Sequence, residues 1–128
     1  MQQFIEASVT FYNDSIMAHN LGVINSSAGE LHCKTPTGTG CDGFVGVTLE
    51  TRTTAGPQAI QTKGIAIGVA ASAIAIDDYV KLYGTAGKFM SATQATPSAS
   101  YVVGKAVSAA TNDGDLFSFI IDPKVVTV

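Results

Sequence analysis

Tryptophan is absent from this sequence and charge is scarce. Seven Lys and Arg stand against ten Asp and Glu, so 13% of the 128 residues are charged and the formal balance is −3. That is about half of the roughly 25% usual in soluble domains. Without a basic stripe, nucleic acid and anionic membrane surfaces are poor partners. Cysteine is nearly missing too: Cys33 and Cys41 are too few for a disulfide framework. The first residues, Met1 to Glu6, hold no basic-then-apolar leader, which points to a reducing cytoplasm and free thiols. Long apolar runs are also lacking. The longest, Gly64 to Ile76, has 13 residues and is too short to cross a bilayer as a helix.

What the chain does have is small and apolar residues. Apolar types make up 46% of it, with 13 glycines, and alanine, serine and threonine fill much of the rest. This is the composition of a turn-rich β protein of one domain. A surface with so little charge must hide apolar area against sibling subunits or a larger assembly.

Phe4 to Tyr12 alternates, with Ile5, Ala7, Val9 and Phe11 on one face and Phe4 and Tyr12 placed to cover an edge. The next thirty residues are irregular and glycine-rich, with one strand-like piece at Leu21 to Ile24. The chain thus divides into 1–43, a strand or arm with an irregular loop, and 44–128, a regular β pattern, the two forming one compact unit. A lone strand is not stable alone. Phe4 to Tyr12 therefore adds to an edge, either as an arm that reaches a sister subunit or partner through Ile5, Val9 and Phe11 or as the first strand of its own barrel. From Phe44 onward strands are expected at Phe44–Glu50, Ala59–Val69, Tyr79–Tyr83, Lys88–Met90, Tyr101–Ala110 and Leu116–Ile121, with Pro123 ending the last. A short helix within Ile67–Ile76 is the one competing pattern. Gly84-Thr85-Ala86-Gly87 and Asn112-Asp113-Gly114 supply turns. Val45-Gly46, Thr53 and Gly56 return 58 residues later as Val103-Gly104, Thr111 and Gly114, a faint repeat of two hairpins around a small barrel.

No constellation carries convincing chemistry. Gly38-Thr39-Gly40-Cys41-Asp42-Gly43 matches GxGxxG, but a β pattern follows where a phosphate site needs a helix N-terminus. His19, His32, Cys33 and Cys41 fall in one region at a spacing unlike any zinc finger or ribbon. Asp77-Asp78 and Asp113/Asp115 read as turn formers, not a glycosidase pair, and no GxSxG elbow is present. The chain is therefore expected to have no enzyme activity, no cofactor and no metal. Its candidate contacts are the strand residues Phe4, Ile5, Val9, Phe11 and Tyr12, then Ile65 and Ile67 of the apolar run. Tyr79 and Tyr83 share a face suited to a subunit contact or to stacking on a sugar.

One stretch resembles a known family. Gly64-Ile65-Ala66-Ile67, Ile76-Asp77-Asp78-Tyr79-Val80-Lys81-Leu82 and Gly87-Lys88-Phe89 are followed by Val103-Gly104-Lys105-Ala106-Val107-Ser108-Ala109-Ala110. Asp113-Gly114-Asp115 and Phe117-Ser118-Phe119-Ile120 then close the pattern. It resembles the capsid cement (head-decoration) proteins of tailed bacteriophages, although Asp77-Asp78 stands where that family has Gly-Asp. The resemblance implies an all-β fold, a small β-barrel or β-tulip domain; the extended N-terminal arm and irregular glycine-rich loop of the first 43 residues lie outside it and rest on the residue pattern alone. The resemblance also implies a homotrimer on the outer capsid surface, made in the host cytoplasm, with the major capsid protein as partner. A head-fibre or receptor-binding module that contacts host glycans, with Ala92 to Ser100 as an apical loop, is the rival reading.

Overall fold

A computed structural model of the chain describes residues 2–128. It holds nine strands and, among the described residues, no helix. They are β1 (Phe4–Asn13), β2 (Gly22–Asn25), β3 (His32–Lys34), β4 (Phe44–Thr48), β5 (Gly56–Val69), β6 (Tyr79–Tyr83), β7 (Lys88–Ser91), β8 (Ala99–Ala106) and β9 (Leu116–Thr127). The helical pattern at Ile67–Ile76 does not form: β5 takes its first residues, and 71–76 holds bends and a single bridge from Ile74 to Ala110. Ala66, Gly68 and Ala70 are buried while Ile65, Ile67 and Val69 are half-buried, a period of two that only a strand satisfies.

The sheet order is β1-β3-β2-β4-β5-β9-β8-β6-β7, and β1 also pairs with β5. The first five strands thereby close into a ring. The remaining strands close back on β5, because Ala70, just past its end, bridges Phe89 of β7 in parallel. β5 is thus the last strand of one ring and the first of the next. Each ring encloses its own core. Phe11, Met17, Val23, Cys33 and Ile60 fill the first. Phe89, Phe117, Phe119, Leu82 and Val80 dominate the second, which Ile24, Phe44 and Val47 cover from the outer wall of the first ring. Neighbouring Val23 and Ile24 therefore serve different cores, as the pleat dictates.

The N-terminal strand is not an arm. It belongs to the first ring, antiparallel to β5 from Phe4↔Ile65 to Asn13↔Gly56 and parallel to β3 at Tyr12↔His32. Likewise no boundary falls at residue 43, since β2 pairs with β4 across it. The irregular stretch is ordered by β2, β3 and hydrogen bonds such as Gly22 N–H to the Gly87 carbonyl at 2.8 Å. Nor does Pro123 end β9, which runs on to Thr127. The register shifts between Val102↔Lys124 and Gly104↔Ile121, so the missing proline N–H falls at a bulge where the ladder is already interrupted.

The faint repeat is a structural duplication. Val23 faces Gly46 as Val80 faces Gly104. Val47 faces Gln61 as Lys105 faces Ile120, and Ile24 faces Lys34 as Lys81 faces Met90. Outside the strands the match continues: Arg52 N–H bonds the Met17 carbonyl as Ala110 N–H bonds that of Ile74, and Asn20 N–H bonds Thr48 as Asp77 N–H bonds Ala106. Asn20 and Asp77 even share a left-handed backbone, at φ 64 and 74.

Gln61 pins the point where β5 passes from one ring to the other. Its buried Nε2 lies within hydrogen-bond distance of the carbonyls of Phe4 (3.1 Å), Lys63 (3.2 Å) and Ile65 (3.1 Å). Gln61→Leu leaves those acceptors without a donor, which costs about 2 kcal/mol. Urea denaturation of the variant is expected to show that loss with an unchanged slope; a variant as stable as the parent would show the amide to be dispensable.

Candidate interaction surface

Because Phe117 and Phe119 point inward, Leu116, Ser118 and Ile120 point outward. On the neighbouring strand Ile65, Ile67 and Val69 do the same, opposite Ile120, Ser118 and Leu116 respectively. Phe4 of β1 pairs with Ile65, so Phe4, Ile65 and Ile120 form one row across three strands. Lys105 and Tyr79 extend it, Ile120 facing Lys105 and Lys105 facing Tyr79. Phe4 is 61% exposed, Ile120 45%, Leu116 44% and Val107 41%. A shallow depression within this face is lined by Gln2, Ile65, Val107, Ser108 and Ser118. Its floor is polar: the Ser118 hydroxyl donates to the Gln2 carbonyl at 2.7 Å and accepts from the Gln2 N–H at 3.2 Å.

The residues expected to make contacts divide on this geometry. Phe4, Ile65 and Ile67 lie on the face. Ile5 and Val9 are exposed elsewhere on β1; register shifts on both sides of Ala7 set Ile5 apart from the regular ladder, whereas Val9 keeps the register of Phe11, opposite Ile60. Phe11 is in the first core and is not a contact residue. Tyr12 lies against the His32 ring, centroids 4.8 Å apart. Tyr79 sits between Lys105 and Lys124, whose Nζ atoms lie 5.5 and 5.6 Å from its centroid, while Tyr83 is open to solvent. Leu116, Ile120 and Val107 join Phe4, Ile65 and Ile67 on the face.

The polar and thiol residues of the glycine-rich region disperse. His19 Nδ1 meets the Thr51 hydroxyl at 2.7 Å and His32 Nδ1 meets Asp14 at 2.7 Å. Ser26 also donates to Asp14, and these two hydrogen bonds, the serine's first, hold the Asp14 carboxyl below its usual range. Hydroxyl and imidazole both spend themselves on the carboxylate and are not arranged in series, as a nucleophilic relay requires. Among the described residues no three His, Cys, Asp or Glu converge as a metal set.

Cys33 is no loop thiol. It is buried in the first core, and burial, followed by the nearby Asp14 charge, pushes its thiol up to about 11. At pH 8 only about one in a thousand such groups is thiolate. Iodoacetamide is therefore expected to label the half-buried Cys41 alone in the native protein and both cysteines in denaturant. Equal native labelling rates would contradict a buried Cys33.

No family model and no curated protein matches the chain. Among solved structures it is similar to the N base of head fiber gp8.5 of bacteriophage phi29, at 20% identity and a TM-score of 0.61, over 91% of this chain and 93% of that one. Likeness at that identity shows the fold.

Proposed function

We propose that this chain is a structural protein of a tailed-phage head, carried on the outer capsid surface, where it holds neighbouring major capsid subunits together. The observation that supports it is the shared fold with a head-fibre base over nearly the whole length of both chains. The resemblance of Lys63 to Ile121 to cement proteins points the same way, as does a surface with little charge and an apolar outer face. The role is mechanical, with no catalysis and no cofactor. A homotrimer adds effectiveness, because several weak contacts on one particle act at high effective concentration. Its partner is the major capsid protein, and neither nucleic acid nor membrane takes part.

A second reading makes the chain the seat of a projecting head fibre or a glycan-binding module. The fibre-base likeness and the open ring of Tyr83 favour it. One experiment separates the two. Purified chain is added to expanded shells of the phage that encodes it, and bound copies and shell resistance to heat are measured. Saturable binding with raised resistance supports the clamp. Saturable binding without it supports the fibre seat. Absence of shell binding, with or without binding to host cells, overturns a capsid role.

A further inference from the structure

The duplication supplies an internal control for the exposed face. Both rings use one strand plan, so a side chain the plan requires has a like counterpart in each. Where Ile65 faces Ile120 in the second ring, Ser8 faces Gln61 in the first. Where Ile67 faces Ser118, Thr10 faces Ala59. The first ring closes with Ser8, Gln61, Thr10 and Ala59 at these levels, none of them a large apolar side chain. The isoleucines of the second ring are therefore not required by its fold, and they stand on its outer surface beside Leu116, Val107 and Phe4.

We infer that this outer face of β5 and β9 is where a second copy of the chain docks. The inference deepens the reading of the chain as a self-associating head protein and rests on it. Composition selects the occupant. The β5–β9 rows carry no charged residue between Ile65 and Val69 or between Leu116 and Ile120, with Lys63 and Lys105 only at the margin. Interfaces between permanent, identical subunits are the apolar class, whereas contacts made and broken between separate proteins are about as polar as ordinary surface. Phe4, Val107, Leu116 and Ile120 are each more than 40% exposed, and grouped exposed apolar side chains mark contact sites. A protein that joins a finished shell is free in solution first, so the cover must come from a sibling.

The experiment is light scattering of the full chain across a concentration series, beside Leu116→Lys/Ile120→Lys. Ser8→Lys, at the counterpart position of Ile65, and Val125→Lys, at a 66% exposed site farther along β9, are controls. The parent is expected to self-associate. The double variant is expected to raise the dissociation constant about a hundredfold or more, with both controls unchanged. If the double variant does not fold, hydrogen exchange of the parent at low and high concentration replaces it, with protection expected to rise at 65–69 and 116–120. A monomeric parent, an oligomer that survives the double substitution, or protection that rises elsewhere overturns the inference. Shell binding is scored separately, so a monomer that binds shells refutes the sibling interface alone, and an oligomer that ignores shells refutes the capsid role alone.

Discussion

Gly104→Ala is expected to lower the melting temperature by about 10 °C, and Gly46→Ala to do nearly the same. At both positions the strand passes so close to its partner that an added Cβ falls within the van der Waals shell of a backbone carbonyl oxygen, that of Ile120 for Gly104 and that of Gln61 for Gly46. A backbone oxygen cannot swing aside like the end of a side chain. The strands must part, and the cost is about 3 kcal/mol, at the upper end of overpacking penalties. The two glycines are counterparts in the duplication, so a large effect at one and none at the other would contradict it. Gly38→Ala is the control, since an added Cβ there meets nothing within 4 Å. Thermal denaturation followed by circular dichroism reads all three.

Phe89→Ala is expected to cost about 4 kcal/mol, within the range for deleting a buried aromatic ring. Phe89 is fully buried. Its ring lies 5.9 Å from that of Phe117, 4.9 Å from Phe119 and 6.3 Å from Phe44, the last belonging to the first ring of strands. The edge-on and tilted arrangements are those that aromatic quadrupoles favour. Its backbone also closes the second ring, the Phe89 carbonyl accepting from Ala71 N–H at 2.7 Å. Phe89→Leu keeps most of the volume and is expected to lose under half as much. Equilibrium urea unfolding measures both, and equal losses would place the stabilisation in the ring geometry, not the filled space.

Strand content was legible from Phe44 onward because turn residues and alternation mark it, and Gly114 does take the positive φ, 93, that its turn needs. The duplication showed only as a trace at Gly46 and Gly104, the places where geometry forbids any other residue. Elsewhere its counterparts fill equivalent space with unlike chemistry: Cys33 stands for Phe89, Ile60 for Phe119 and Gln58 for Phe117, all buried. Single-residue insertions also shift the spacing from strand to strand. β3 escaped notice because three residues carry no period, and its parallel pairing with β1 depends on closure of the ring, not on any local pattern. Of the outer β5–β9 face, the sequence pattern singles out Phe4, Ile65 and Ile67. Leu116 and Ile120 were not singled out, because apolar residues on both faces of a strand look like core until the sheet shows which face is covered.

The double service of β5 bears on how the molecule comes apart. Tandem repeats joined end to end can fray one at a time, each losing only its own contacts. Here, release of β5 opens both rings in one event, so the opening that frees this strand leaves neither half whole. Amides of β2 and β6, which lie in different halves, are thus expected to exchange through a common global opening, in contrast to the graded openings usual in multi-unit proteins. Folding carries the matching burden. β1 waits for β5, and β5 for β9, before either circle is complete. That succession of sequence-distant pairings places the chain among the slow folders, on the millisecond-to-second scale of β proteins with few local contacts.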